Sequence, residues 1–308
     1  MSTGRDNEAK GCGALRSTPT SSRRSVGILG FGALGQYIYD AITNDEKVSR
    51  DFEVCFVWNR SREALEGRVP DKLILEDINQ CMYQGADAII EVCHPSIARS
   101  FGRKIMEKGT DFILGSPTAM ADPLVEKAMR EVAEAAEYRG ALYIPVGALW
   151  GANDLQGAAN RGILESLTIT MRKHPAMVKL TDEAMKQKAQ ALADKNEDGE
   201  YVVYEGPVRG LCDLAPNNVN TMACAALACH SLGFDGTTGR LVLDAGLTTH
   251  EIVVHAEGKP NPSGQKFVLH CERSSPAPIG AVTSKATYAT FLESTCRARG
   301  RGHGVHFI

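Results

Sequence analysis

The sequence predicts an α/β protein, with a doubly wound parallel sheet joined to a second α/β layer whose sheet is mixed or antiparallel. Three observations predict it. Apolar runs of strand length alternate with helical stretches from Val26 to about residue 160. A glycine-rich turn follows the first of these runs. Beyond residue 160 the rhythm changes to runs in which apolar and polar residues alternate. Strands separated by helices imply βαβ units with right-handed crossovers. Alternation within a strand suits a sheet with one wet face.

The elements follow in order. Residues 26–30 form the first strand and lead into a helix reaching about Glu46. Residues 52–58, 87–93, 111–114 and 141–146 are the next strand-length runs. Asp122 caps a helix with Pro123 at its first position, and Leu124, Ala128, Val132 and Ala136 recur every four residues. Residues 166–171, 201–204, 241–244, 251–255 and 266–270 then read as strands. Residues 218–232 read as an Ala-rich helix, 181–200 as a charged surface helix and loop, and 281–296 as a closing helix.

Composition narrows the function. The chain has 308 residues, 43% hydrophobic and 23% charged, enough to bury a real core. A net charge of −3 argues against a bulk grip on nucleic acid or an anionic membrane. No apolar run approaches the roughly 20 residues that span a bilayer. Nine cysteines, an odd number with no C-x-x-C pair, and no apolar signal segment suit a reducing, cytoplasmic setting. No metal-ligand spacing is visible. Residues 1–25, rich in Ser, Thr, Gly and Arg, read as a disordered tail. Arg5, Arg16, Arg23 and Arg24 would suit a mitochondrial presequence, but Asp6 and Glu8 oppose that reading.

Gly30-Phe31-Gly32-Ala33-Leu34-Gly35 is a G-x-G-x-x-G between a strand and a helix, the context that a dinucleotide-binding loop needs. Gly30 permits the tight turn, Gly32 leaves room for a pyrophosphate, and Gly35 lets helix and sheet pack closely. The helix N-terminus, at Ala33 and Leu34, offers free N–H groups to the anion. Residues 26–160 are therefore expected to be a Rossmann-type dinucleotide-binding domain. Residues 161–279 are expected to form a substrate and dimerisation domain, with the closing helix packed back on the first. The second strand ends in Asn59-Arg60 rather than in a carboxylate. Asn59 can bond a ribose hydroxyl and Arg60 can pair with a 2′-phosphate, so NADP is expected, with NAD also accepted.

The order of motifs is GFGALG, FVWNR, EVCHPSIA, GSPTAM, GALWGANDL, YEGPVRGLCDLAPNNVNTMACAALA and DAGLTTHEI. It resembles the L-aspartate dehydrogenase family, above all its animal branch of aspartate dehydrogenase domain-containing proteins, from about Val26 onward. The most specific feature is N-x-N opening a helix, with H-E-I about thirty residues later. The resemblance implies a homodimer and the reversible oxidative deamination of L-aspartate to oxaloacetate and ammonia through iminoaspartate, with NAD or NADP. In some bacteria that imine feeds NAD synthesis. It implies His250 as the catalytic histidine and Ala148 and Asn220 as cofactor contacts. The chain departs from bacterial members at Asn59, where an acid is common, and at His94-Pro95.

From chemistry alone, hydrolysis of an imine needs a group that moves protons near neutral pH, and histidine suits it. His250 starts a strand after a polar link. His94 follows the third strand and is an alternative, either beside the nicotinamide or as a helix-entry residue. A dicarboxylate needs cations, and Arg209 is the first candidate because its fork matches a carboxylate. Arg172 and Lys173 read as surface ion pairs, Asn218 as a helix cap, and Cys224 and Cys229 as buried. Two other readings stay open. One is an oxidoreductase of another small dicarboxylate or semialdehyde. The other is an NADP(H)-binding sensor without turnover.

Overall fold

The computed structural model describes residues 23–195, 199–277 and 283–308. The tail expected over residues 1–25 falls outside them except at its end, where the first strand begins. The start of the helix expected at 281–296 also falls outside. The strands are β1 (Arg24–Leu29), β2 (Phe52–Trp58), β3 (Ala88–Glu91), β4 (Asp111–Leu114), β5 (Leu142–Ile144), β6 (Leu164–Lys173), β7 (Glu200–Pro207), β8 (Thr238–Asp244), β9 (Thr249–Gly258), β10 (Val268–Pro276) and β11 (Val305–Phe307).

The first sheet runs β11-β5-β4-β3-β1-β2, with every pair parallel. A parallel sheet covered on both faces needs apolar residues at consecutive positions. β3 and β4 supply them: Ile89 and Phe112 point to one face, Ile90 and Ile113 to the other, and all four are fully buried. The chain goes from β1 to β2 on one side and then crosses to β3 on the other. Ligands of open α/β sheets sit in the crevice at such a reversal, outside the carboxyl ends of the strands.

The closing helix is Lys285–Arg297 and packs on the helix Ala33–Asn44, where the Tyr37 and Tyr288 rings lie 5.7 Å apart. The chain then adds β11 beside β5, a sixth strand that the sequence reading lacks. Ile308 fixes this end. Its N–H donates to Ile144 O (3.1 Å), and its carbonyl accepts from Val146 N (2.8 Å) and Ser294 Oγ (2.8 Å).

The second sheet runs β10-β9-β6-β8-β7. β6 and β8 are parallel and the other neighbours antiparallel, so the sheet is mixed. Its inner face packs against the helices Val208–Leu214 and Ala152–Asn160, with Met222 of the helix Asn220–Ala228 against Gly239 of β8; Met222 through Ala228 are all buried. One apolar cluster runs from Ile89, Phe112 and Leu114 of the first sheet to Leu167, Ile169 and Val254 of the second, so the two layers share a core. The Ala-rich helix is shorter than the expected 218–232, and Asn218 is not its cap. Asn218 instead accepts from Lys179 N (2.8 Å) and donates to Met177 O (3.0 Å), tying down the segment after β6.

The helix Pro123–Glu134 starts where the sequence places it, with the Asp122 carboxylate accepting from Leu124 N at 2.9 Å. That bond satisfies one of the free N–H groups of the first turn. Asp122→Ala should therefore cost about 0.5–2 kcal/mol of stability. Urea unfolding followed by circular dichroism checks this, and an unchanged midpoint would mean that the cap contributes nothing.

Candidate active site

A cleft opens where the carboxyl ends of β1, β4 and β5 face the inner side of the second sheet. Leu34, Gly115, Pro145, Ala148, Asn220, Lys173, His250 and Arg273 are among its walls. Leu34 of the glycine loop forms part of one side. Gly30 has φ +106°, and a Cβ there would meet Cys93 Cβ at 2.6 Å. A Cβ on Gly35 would meet Gly30 O at 2.1 Å. These two glycines are required by the fold itself. Gly32 differs, because a Cβ there would meet nothing within 4 Å. It faces open space at the start of the helix Ala33–Asn44, which has no side-chain cap and no acidic residue in its first turn. Open amides, positive dipole and free space fit a pyrophosphate.

Asn59 braces this loop. Its oxygen accepts from Phe31 N (3.1 Å) and its amide donates to Ser61 O (2.9 Å), leaving one N–H to offer outward. Arg60 is exposed beside it, and among the described residues no hydrogen bond or ion pair holds it. Arg62 is engaged by Glu66 and Glu76.

Glu91 holds the strand ends together and has no role in the sequence reading. It ends β3, is fully buried, and accepts from Cys93 N (2.9 Å), Ser116 N (2.9 Å) and Ser116 Oγ (3.0 Å). Burial pushes its carboxyl up, against these donors, which pull it down. It thus locks the loops after β3 and β4 that back the glycine turn. The neighbouring Cys93 thiol is pushed up by burial and by Glu91, so it is not a poised nucleophile.

The second sheet brings titratable and charged side chains to the cleft. His250 lies at the start of β9, only 6% exposed, with Nε2 3.0 Å from Met177 Sδ. The register sets His250 against Ser275 and Ile252 against Arg273 of β10. On the other side Arg172 of β6 pairs with Glu251, and one step further the same register brings Lys173 to His250. Lys173, His250 and Ser275 thus form one row at the sheet's end, all on the cleft. Arg273 is 5% exposed. It stacks 5.5 Å from the Trp150 ring centroid and donates to Thr287 Oγ1 (3.3 Å). Burial lowers its pKa, yet a guanidinium remains a cation. Burial also pushes the Lys173 amine down to about 8.

Four of the expected residues, Leu34, Ala148, Asn220 and His250, meet in this cleft. Asn220 opens its helix and accepts from Thr118 Oγ1 at 3.3 Å. Arg209 does not belong to the cleft. Its Nε and Nη2 form a fork with Asp235, both at 2.7 Å, and its Nη1 donates to Ala121 O. The bidentate geometry is the expected one, but the chain's own carboxylate fills it. Arg273 takes its place on the cleft wall. His94 is the helix-entry residue, exposed, with Nδ1 accepting from Ser96 N (3.2 Å). Arg172 is an ion-pair residue as expected, bonded to Glu251, Glu200 and Asp244. Lys173 is not at the surface, since it turns to the opposite, buried face.

Fold and cleft together suit a dinucleotide-binding protein of the dehydrogenase type. Comparison with known proteins narrows this. The profile of the homoserine dehydrogenase NAD-binding domain matches residues 30–143, and that of the aspartate dehydrogenase C-terminal domain matches residues 154–294. An aspartate dehydrogenase domain-containing protein of Xenopus tropicalis is 42% identical over 286 residues, 92% of this chain and 98% of its own. An L-aspartate dehydrogenase of Methanosarcina acetivorans is 28% identical over 240 residues, 75% of this chain and 83% of its own. The aspartate dehydrogenase from Thermotoga maritima shares the fold, with a TM-score of 0.64 at 17% identity, covering 91% of this chain and 98% of that one. The chain belongs to the aspartate dehydrogenase family.

The contrast between Gly32 and Gly35 gives a test of the cofactor loop. Gly32→Ala should leave the melting temperature unchanged and weaken binding of the nicotinamide dinucleotide by about tenfold or more, or 1.4 kcal/mol. Calorimetric titration and thermal unfolding on one preparation check both halves. Unchanged affinity would remove Gly32 from the pyrophosphate site.

Proposed function

We propose that this protein is an NAD(P)-dependent L-aspartate dehydrogenase, converting L-aspartate reversibly to oxaloacetate and ammonia through iminoaspartate. One observation carries the reading. A buried histidine and a buried arginine share one cleft wall, opposite an open glycine loop. A cation on that wall suits an anionic substrate, and the histidine suits imine hydrolysis. The cofactor contacts proposed are Gly30, Gly32, Ala33, Leu34, Gly35, Asn59, Arg60, Ala148 and Asn220. Exposed Arg60 beside a strand end without a carboxylate favours NADP, with NAD also accepted.

Bound nicotinamide supplies the acceptor for the hydride of the substrate Cα. The chain's own residues do the rest. Arg273 grips a carboxylate by its fork and is itself braced by Trp150 and Thr287. His250 takes a proton from the water that adds to the imine carbon. The apolar floor of Met171 and Ile252 keeps other water away.

The decisive assay follows NADPH and NADH oxidation with oxaloacetate plus ammonium, against a panel of other keto acids. Preference for oxaloacetate, dependent on ammonium, supports the reading, whereas cofactor binding without turnover on any acid favours the sensor. His250→Ala should lower turnover by about 10²–10⁴-fold with cofactor affinity unchanged. A stable, fast His250→Ala enzyme would sink the assignment. Arg273→Lys should raise KM for oxaloacetate far more than KM for the cofactor, because lysine cannot form the fork. The parallel Arg209→Lys variant should leave both constants in place. If the two variants exchange these behaviours, Arg209 is the anchor after all.

A further inference from the structure

Deaminating an amino acid moves protons at two different atoms, the substrate nitrogen and the oxygen of the attacking water. One histidine at the water leaves the nitrogen without a partner. Among the described residues that line the cleft, the side chains with a titratable group are Lys173, His250 and Arg273. Arginine does not give up its proton. The lining has no Asp, Glu, Cys or Tyr among those residues.

We propose that Lys173, as its neutral amine, accepts the proton that the substrate α-ammonium must lose before hydride leaves Cα. The inference deepens the aspartate reading and rests on it. The geometry is the row set by the β6–β9 register, in which Lys173 stands beside His250, while Arg273 lies two pairs further along the β9–β10 ladder, on the same face. Directly opposed side chains in such a ladder have Cβ atoms about 4.5–5.5 Å apart, so lysine and histidine address neighbouring atoms of one bound molecule.

In the step itself an N–H bond of the ammonium breaks and its electron pair stays on the substrate nitrogen. The ε-amine lone pair forms the new N–H bond, and no electrons change hands. The freed pair on nitrogen then becomes the C=N bond as hydride departs. After water has added, Lys173 returns its proton to nitrogen. The C–N bond breaks with its pair on ammonia, and His250, having passed the proton taken from water to solvent, takes the hydroxyl proton to leave the ketone.

The surroundings suit a lysine that can be neutral. It is 3% exposed, and burial brings its amine down to about 8. The titratable side chains that line the cleft with it are His250 from β9 and Arg273 from β10. The glycine-loop, Gly115–Pro117, Pro145–Ala148 and Asn217–Thr221 walls bring no charge among the described lining residues.

The test compares Lys173→Arg, which keeps the charge but cannot release the proton, with Lys173→Gln, which keeps neither. Both variants should lower kcat for aspartate oxidation by about 10²-fold or more, with KM little changed. In the wild-type enzyme kcat should rise with pH through about 8, as Lys173 loses its proton, and that limb should vanish in both variants. If Lys173→Arg restores activity while Lys173→Gln raises KM, the lysine is a charge anchor and the proposal falls. A second readout needs no turnover. In protein labelled with 13C at lysine Cε, the signal lost in Lys173→Gln should titrate near 8. Titration at the ordinary value of about 10.4 overturns the proposal alone. A wild-type enzyme silent on aspartate with either cofactor contradicts the functional reading, and takes the substrate half of this proposal with it.

Discussion

In an antiparallel pair, a slip of one residue turns every side chain to the opposite face. β6 and β9 pair with Met171 opposite Ile252 and Arg172 opposite Glu251. This register puts Lys173 and His250 in the cleft and sends Arg172 and Glu251 to the outer face, where they bond at 2.7 Å. Shifted by one, the cleft would hold an ion pair and lose both Lys173 and His250. The β9–β10 pairing does the same for Arg273 and Ser275. The charges of Arg172, Glu200, Asp244 and Glu251 on the outer face thereby help to set the chemistry of the inner one.

The first sheet provides the opposing wall and holds it rigid. Gly35 approaches Gly30 so closely that no side chain fits between helix and turn. Glu91 locks the loops behind that turn. Ile308, at the chain's end, bonds Val146 just before Gly147 and Ala148 of the cleft. A site assembled from two sheets needs both to be fixed, since a misplacement of about 1 Å can cost 10²-fold in rate. The shared apolar cluster that spans the layers supplies that fixity.

Much of this was legible in the sequence. The strands of the first sheet have strong apolar signals, and the glycine loop and the Asp122 cap carry local chemistry that sequence displays directly. β11 escaped because it is three residues long and follows Gly300, Gly302 and Gly304. Arg209 misled because a fork suited to a substrate carboxylate suits Asp235 equally well. Nothing in GPVRG reveals a partner 26 residues away. Lys173 and Arg273 did leave a signal. Leu167, Ile169, Met171 and Lys173 share one face of β6, and Leu269, Cys271, Arg273 and Ser275 share one face of β10. Read backward along β9, the face is Ala256, Val254, Ile252 and His250. In each strand an apolar stripe turns polar at one end. Three stripes turning polar at the same edge of one sheet mark a strand bundle that leaves the core and enters a cleft. Seeing that edge requires the pairing order, which sequence alone does not display.

The central claim is that hydride passes between a nicotinamide and the α-carbon of aspartate in this cleft. The most direct measurement gives the protein oxaloacetate, ammonium and NADPH carrying deuterium at C4, and reads the products by mass spectrometry. The account predicts aspartate with deuterium at Cα, formed only when ammonium is present. Deuterated malate, or no labelled product with NADPH or NADH, would contradict it.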